Sequence, residues 1–459
     1  MSEQPARFDV AVVGAGSGAT VSAVAAEAGW SVAIVEAGPF GGTCLNRGCI
    51  PSKMLVHVAD VARTIRRAHL FGIDGRIERI DWPAIVERVF SDIDGEAKAI
   101  EQSNEAAERI TVFKGEARFV GPKLLEVDGR RLSADRIVIA AGTRPSLPPI
   151  EGLAAVPFST SDDIMRVTGQ PRRLAILGGG FVAAELGHFF GSLGTDVTFI
   201  VRGDRLLDEE DEDVSARFTE VIRRRFDVAI GTSVARTRTE EGSVVLELAG
   251  DDPRGELRVD ALLVATGRVP NTDRLATAAA GLELDDEGFI QTDEYLRTNV
   301  DGIWALGDIV GQYQLKHSAN LEAAHVAHNL LNPERLVPVD YRAMPHAVFA
   351  SPQVGSVGLT EQGARATGRR HVAASYDYDE TAYGASIEDH DGFVKVLADP
   401  ATREILGCHI LGTDASTLVQ GVATLMRAGE TVDAVRRAIF VHPALPEVVQ
   451  RAFGELGLD

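Results

Sequence analysis

The sequence predicts an α/β chain: two doubly wound domains with parallel sheets, followed by a C-terminal α+β domain. Three observations carry that prediction. A glycine-rich turn at Gly14 joins an apolar strand to a helix of small residues. The same grammar returns at Gly178. The last third, from about Leu336, alternates apolar and polar residues as strands do and holds no such turn. At 459 residues the chain exceeds one typical core and suits two or three domains.

"FDVAVVGAGSGATVSAVAAEAGWSVAIVE" sets the first fold. Val10–Val13 reads as a buried parallel strand, and Gly14, Gly16 and Ala19 follow in GxGxxA spacing around Ser17. Glycines there allow a tight turn and let the backbone approach a pyrophosphate at the helix N-terminus. The next strand ends at Glu36, an acid suited to a ribose hydroxyl. This is a Rossmann-like, dinucleotide-binding pattern. "RLAILGGGFVAAELGHFFGSLGTDVTFIVRGDRLL" repeats it, with a strand at Leu174–Leu177, then Gly178, Gly180 and Ala183. Its second strand is expected to end at Arg202 instead of an acid. Two such folds mean two nucleotides, by internal duplication rather than a solenoid repeat.

Each fold is followed by a short strand closing on small residues. These are "IVIAAGTRP" (Ile137–Pro145), with Ala141 and Gly142, and "ALLVATGRVPN" (Ala261–Asn271), with Gly267. A proline soon after each glycine fits a sharp exit from the sheet. Between Arg63 and Ala107 the pattern is mostly helical, broken near "FGIDGRIERIDWP". "DGIWALGDIV" reads as a strand closing on Gly307 and Asp308. An acid there can accept from a sugar-like hydroxyl or simply make a turn. Two helical stretches are expected beside the strands of the last third. The boundaries that follow are residues 1–150 and 272–335 for the first nucleotide domain, 151–271 for the second and 336–459 for the C-terminal domain.

A net charge of −21 argues against nucleic acid or an anionic membrane as partner. Three cysteines cannot staple three domains, and that economy fits a reducing cytoplasm. The N-terminus lacks a basic start leading into an apolar run, and no stretch reaches the roughly 20 apolar residues of a membrane span. A soluble, cytoplasmic protein is expected.

"GGTCLNRGCIPSK" holds Cys44 and Cys49. Zinc needs about four ligands, usually in close pairs, and only these two cysteines cluster. Two buried, inert cysteines are the bland alternative. Pro51 suits the first turn of a helix beginning hereabouts, and a thiolate near that helix start would be stabilised by its dipole. A redox-active dithiol is therefore favoured, with no metal.

GGTCLNRGCIPSK, the paired GxGxxA turns, ALGD and the late "VHPALPE" together resemble the flavin-dependent pyridine nucleotide–disulfide reductases over nearly the whole chain. The resemblance implies FAD on the first nucleotide fold, a nicotinamide nucleotide on the second, and a C-terminal dimerisation domain. It implies that electrons pass from nicotinamide to flavin, then to the cysteine pair, then to a disulfide substrate. Cys49 looks like the flavin-proximal, charge-transfer thiol and Cys44 like the interchange thiol. Lys53 matches the lysine beside the flavin's reactive nitrogen, and Glu185 its carboxylate partner near the nicotinamide. Thr43, Ala117, Ala141, Gly142 and Asp308 match flavin contacts, Asp308 on the ribityl chain, and His317 is placed at the flavin's pyrimidine end. His442 and Glu447 have the family's spacing for a catalytic base and its carboxylate. In this family the base serves the cysteines of the other subunit, so a homodimer is implied.

Two departures choose among members. Arg202, where an NAD-preferring relative carries an acid, suits the 2′-phosphate of NADPH; a solvated arginine is the alternative, and Asp208 nearby opposes a strongly basic pocket. Val24 stands where glutathione reductases carry an arginine for the substrate carboxylate. "YQLKHSANLEA", "SYDYDETAYGASIED" and "HPALPEVV" resemble the mycothione reductases, whose substrate is mycothiol disulfide. Dihydrolipoamide dehydrogenase is the runner-up. Mercuric reductase would want a further cysteine pair near the C-terminus. A flavoprotein binding nucleotide without disulfide turnover is the remote alternative.

Overall fold

The computed structural model describes residues 4–458. Its contacts divide the chain into two compact units. One comprises Met1–Pro51, Val86–Ser146 and Arg268–Tyr341, the other Ser52–Ile85, Leu147–Gly267 and Arg342–Asp459.

The first unit is organised by a seven-stranded sheet. Ile110–Lys114, Val32–Glu36, Ala6–Val13 and Arg130–Ile139 run parallel in that order. The free side of Arg130–Ile139 is shared. Its first half pairs antiparallel with Leu124–Val127, which leads to Ala117–Gly121. Its second half pairs parallel with Ile303–Ala305. Alternate residues go to opposite faces, and both faces are buried. Val10, Val12, Val32 and Val138 pack on one side with the helices Gly18–Glu27 and Lys316–Leu331. Ala11, Val13, Val35, Ile137 and Ile139 pack on the other.

The second unit repeats the scheme on a smaller scale. Asp227–Ala229, Asp196–Ile200, Arg173–Leu177 and Ala261–Val264 form a four-stranded parallel sheet. The strand expected to reach Arg202 ends two residues earlier, at Ile200. Its partner Asp227–Ala229 pairs only as far as Ile200, so ladder hydrogen bonding rather than residue type sets the end. Arg202 itself is exposed just beyond it.

Residues 342–458 carry a five-stranded antiparallel sheet ordered Pro345–Val348, Gln353–Gly358, Ile405–Gly412, Phe393–Ala398 and Val372–Asp377. Val394, Val396, Ile410, Val422, Val448 and Phe453 fill its core with the helices Ala415–Arg427 and Pro446–Gly454. Cys408 lies wholly inside that core, and burial pushes its thiol above the usual range. Where two helical stretches were expected, five helices occur among the described residues. The extra ones, Glu361–Ala366, Ala382–Ser386 and Val432–Arg437, are five or six residues long, too short for an apolar period to show.

Candidate active site

Gly14 ends its strand at φ +106°, and a Cβ there would collide with the Ala140 carbonyl. Only glycine lets the chain turn from sheet to helix at this spacing. The helix Gly18–Glu27 then begins with no side-chain cap and no acid in its first turn, leaving its N–H groups and dipole to an anion. Ser17 is held from two sides: Lys316 Nζ donates to its Oγ at 2.9 Å, and Ser17 Oγ donates to Asn320 at 3.0 Å. The Glu36 carboxylate accepts from Ala15 N–H and Gly38 N–H, both at 2.8 Å. Asp308 accepts from the Thr143 hydroxyl at 3.0 Å. Ala141 and Gly142 are tied to Asn271, whose side chain donates to the Ala141 carbonyl and whose N–H donates to Gly142. The space before Gly142 is open. Ala117 is buried in its strand. His317 is exposed at the second position of the helix Lys316–Leu331.

The cysteine segment packs directly on this turn. A Cβ on Gly42 would lie 2.7 Å from the Gly16 Cα, so a glycine is needed at position 42 for the two backbones to pass. Thr43 and Cys44 lie in the short helix Gly42–Arg47, and Cys49 opens the helix Cys49–Arg67. Asn46 fixes the loop by donating to the carbonyls of Phe40 and Gly42, each at 2.9 Å. The Cys44 thiol hydrogen-bonds to Cys49. That bond, burial and the neighbouring thiolate together hold Cys44 far above the usual thiol range, with Lys316 acting against them.

In the second unit Gly178 repeats the geometry of Gly14, with φ +124° and a Cβ that would collide with the Ala265 carbonyl. The helix Phe181–Ser192 begins uncapped after Gly180, with no acid in its first turn. By contrast, the helix Glu212–Arg223 is capped by Asp211. Ala183 is buried on the inner face of its helix, and Gly180 and Gly267 front open space. Both helix starts thus leave room for a pyrophosphate, and the donors present fit two dinucleotides.

Glu185, on the same helix, is buried and accepts both oxygens' worth of bonds from Lys53 Nζ, each at 2.8 Å. Its Oε1 also accepts from the Phe349 N–H at 3.0 Å, and Lys53 Nζ sits 4.7 Å from the Phe349 ring centre. His442 Nδ1 lies 2.8 Å from Glu447 Oε1, and Ala444 N–H donates to the other oxygen at 3.1 Å. The bond from His442 holds the Glu447 carboxyl below its usual range, so the carboxylate accepts and Nδ1 carries the hydrogen. That leaves Nε2 as the basic nitrogen, on a side chain 72% exposed.

Cys44 and Cys49 belong to one compact unit, and Lys53, Glu185, His442 and Glu447 to the other. The residues that sequence reasoning did not find are Phe349, Asn271 and Lys316. Two of them act through groups without a motif: a backbone N–H and a lysine remote in sequence.

Comparison with known proteins decides the family. Residues 8–329 match the pyridine nucleotide-disulphide oxidoreductase family, and residues 344–453 match its dimerisation domain. The chain belongs to the pyridine nucleotide-disulphide oxidoreductases. This oxidoreductase is a flavoprotein whose cofactors are FAD and NADPH. It is similar to mycothione reductase of Mycobacterium tuberculosis, 41% identical over 98% of this chain and 99% of that one. It is 32% identical to glutathione reductase of Burkholderia cepacia, over 96% of this chain and 97% of that one. A dihydrolipoyl dehydrogenase of Chlamydia muridarum is also 32% identical, over 96% of this chain and 95% of that one. Among solved structures, the HOCl-induced flavoprotein disulfide reductase RclA from Escherichia coli superposes with a TM-score of 0.87 at 28% identity, covering 98% of this chain and all of that one. Among the described residues of this oxidoreductase, no helix is long and apolar enough to cross a membrane, and no cluster of His, Cys, Asp and Glu suits a metal ion.

Proposed function

We propose that the protein is an NADPH-dependent reductase of mycothiol disulfide, working as a homodimer in the cytoplasm. The observation that carries this reading is the 41% identity to a mycothione reductase across 98% of the chain, against 32% to a glutathione reductase. Val24 supports it: the side chain packs into the apolar cluster of its helix and offers nothing to a glutathione carboxylate. Exposed Arg202 supports NADPH as donor.

FAD supplies two-electron transfer between NADPH and the cysteine pair. The first glycine turn, with Ser17, Glu36, Thr43, Ala117, Ala141, Gly142, Asp308 and His317, holds it. The second turn, with Gly178, Gly180, Ala183, Arg202 and Gly267, holds NADPH. Lys53 and Glu185 orient the reacting ends of the two. Cys44 then attacks one sulfur of the substrate disulfide, forming a mixed disulfide and releasing one thiolate. His442, steadied by Glu447, takes the Cys44 proton on Nε2 as Cys44 attacks and then gives it to that thiolate. Cys49 attacks the Cys44 sulfur, which restores the Cys44–Cys49 disulfide and frees the second thiol. The balance is NADPH, one proton and one disulfide in, NADP⁺ and two thiols out. His442 of one subunit serves the cysteines of the other.

Steady-state assays with mycothiol, glutathione and lipoamide disulfides, each with NADPH and NADH, test the reading. Mycothiol disulfide with NADPH is expected to give the highest kcat/KM, because a site without a carboxylate clamp leaves glutathione's charged ends poorly paired. Dominant NAD-linked turnover of lipoamide would make the protein a dihydrolipoamide dehydrogenase instead.

A further inference from the structure

Three residues after Glu185 on the same helix stands a histidine that the redox steps above do not use. His188 is wholly buried. Its Nε2 lies 2.8 Å from Asp60 Oδ1, on the helix Cys49–Arg67 that also carries Lys53. Its Nδ1 lies 2.9 Å from the Ser192 hydroxyl and 3.4 Å from Arg225 Nη2. A guanidinium only donates, so Nδ1 accepts and Nε2–H donates to Asp60. Burial pushes the imidazole below its usual range, and Arg225 pushes the same way against Asp60; the ring is neutral, in one fixed tautomer.

Spacing makes this more than a buried polar group. Glu185, His188 and Ser192 stand three and four apart and share one helix face, while Lys53 and Asp60, seven apart, share one face of the other helix. The two helices are therefore joined first at Lys53–Glu185 and again at Asp60–His188, with the exposed Arg66 donating to the Ser192 carbonyl at the far end. The second partner of Glu185 is tied to the same hub. Arg225 bonds His188 and Ser192 with one nitrogen and the Ser351 carbonyl with another, two residues beyond the Phe349 N–H that Glu185 accepts. Both donors to the Glu185 carboxylate thus hang on segments fastened to His188.

We propose that His188, through Asp60 and Arg225, is the positioning residue for the Lys53–Glu185 pair and so for electron entry from NADPH. The inference rests on the reading that this pair orients the nicotinamide end of the reaction. It assigns His188 no proton and no contact with substrate. Its removal leaves Cys44, Cys49 and His442 untouched.

The holoenzyme tests it in two readouts: the rate of flavin reduction by NADPH under anaerobic stopped flow, and hydrogen exchange of the Phe349 amide without NADPH. His188→Leu is expected to slow reduction about tenfold to a hundredfold, the range for a misplaced reacting group, and to speed Phe349 exchange about tenfold. NADPH affinity should hold within about twofold, since uniform binding is not what is lost. His188→Gln, whose amide can donate to Asp60 and accept from Arg225, should recover both readouts to within about threefold. Combined with Glu185→Gln, His188→Leu should add no further slowing, because it acts through that carboxylate. Asp60→Ala, altered at the half-exposed end, should shift both readouts the same way and serves if His188→Leu does not fold. Parent-like reduction and exchange in these variants, or multiplicative slowing in the double variant, would overturn the inference while leaving the function of the pair intact. Parent-like reduction in Glu185→Gln alone would sink the reading of the pair, and this inference with it.

Discussion

Gly14 and Gly178 end parallel strands in two different sheets, and at each a Cβ would run into a carbonyl at the exit of the neighbouring strand, Ala140 in one and Ala265 in the other. Beyond the next strand the two folds part. In the first, Glu36 is tucked back and accepts two backbone N–H groups, one of them from Ala15 in the glycine turn itself. In the second, Arg202 stands exposed, while its neighbour Arg205 is occupied by Asp204 at 3.0 and 3.1 Å. The difference separates two kinds of constraint. The glycine answers to backbone crowding, which any doubly wound sheet imposes, so duplication preserves it. In the proposed reading the charged residue answers to the nucleotide, so the copies diverge: a fixed acid for a diol, an exposed cation for a phosphate.

The most severe way to break the symmetry is to add the missing Cβ. Gly14→Ala and Gly178→Ala each force overpacking of about 1–3 kcal/mol and a left-handed backbone costing about 1–2 kcal/mol. Gly14→Ala should purify without the flavin absorbance. Gly178→Ala should stay yellow yet resist reduction by stoichiometric NADPH. A colourless Gly178→Ala beside a yellow Gly14→Ala would exchange the nucleotides between the sheets.

Arg202→Glu probes the divergent position directly. A charge-assisted bond to the 2′-phosphate contributes roughly 1.5–3 kcal/mol, about tenfold to a hundredfold in affinity. The variant should lose that much for NADPH and change little toward NADH, measured by titrating the oxidised enzyme with NADP⁺ and NAD⁺. Equal losses for both would show that Arg202 does not read the phosphate.

Glu36→Gln asks whether the first fold's acid is structural as well as ligand-directed. Glutamine keeps one acceptor and turns an amide toward the other N–H, leaving a donor unsatisfied at about 1–2 kcal/mol. Lower thermal stability is expected even with FAD in excess, together with weaker flavin retention. Unchanged stability with weaker flavin would make the two backbone bonds dispensable.

These positions also mark where the sequence was legible. The glycine turns, the strand to Glu36 and the cysteine segment were readable because their constraints are local: a φ only glycine tolerates, an apolar run, a helix-start proline. Arg202 was legible as a residue but not as a strand end, since pairing with Asp227–Ala229 stops the ladder at Ile200. The bond between Asp60 and His188 joins residues 128 apart and leaves no spacing to read. Phe349 was invisible for another reason: it contributes a backbone N–H, which every residue but proline has. The short helices of the C-terminal region span too few turns for a period of 3.6 to emerge.

The first fold has a strand that the second lacks, with acids beside it, and pH sharpens that contrast. Ile303–Ala305 adds a strand beside Arg130–Ile139 and delivers Gly307 and Asp308, whereas the four-stranded sheet stops at Ala261–Val264. Glu322 is buried beneath this addition, accepting from Gly307 N–H at 2.5 Å and from the Tyr341 hydroxyl at 2.9 Å. Burial raises its carboxyl above the ordinary 4.5, and the Asp308 charge adds to that, while the two hydrogen bonds oppose it. Between the ordinary and the raised value the folded chain keeps a proton that the unfolded chain has released. The stabilisation is complete below the ordinary value and is lost as pH rises through the raised one. Glu322→Gln removes the titration but retains an acceptor for Gly307, so its melting temperature should fall less than the parent's from about pH 5 to about pH 8. This is the smallest of the four effects, read as a difference between two melting curves over pH. Parallel curves would mean that Glu322 holds its charge as readily folded as unfolded, and that the extra strand of the first fold carries no buried proton.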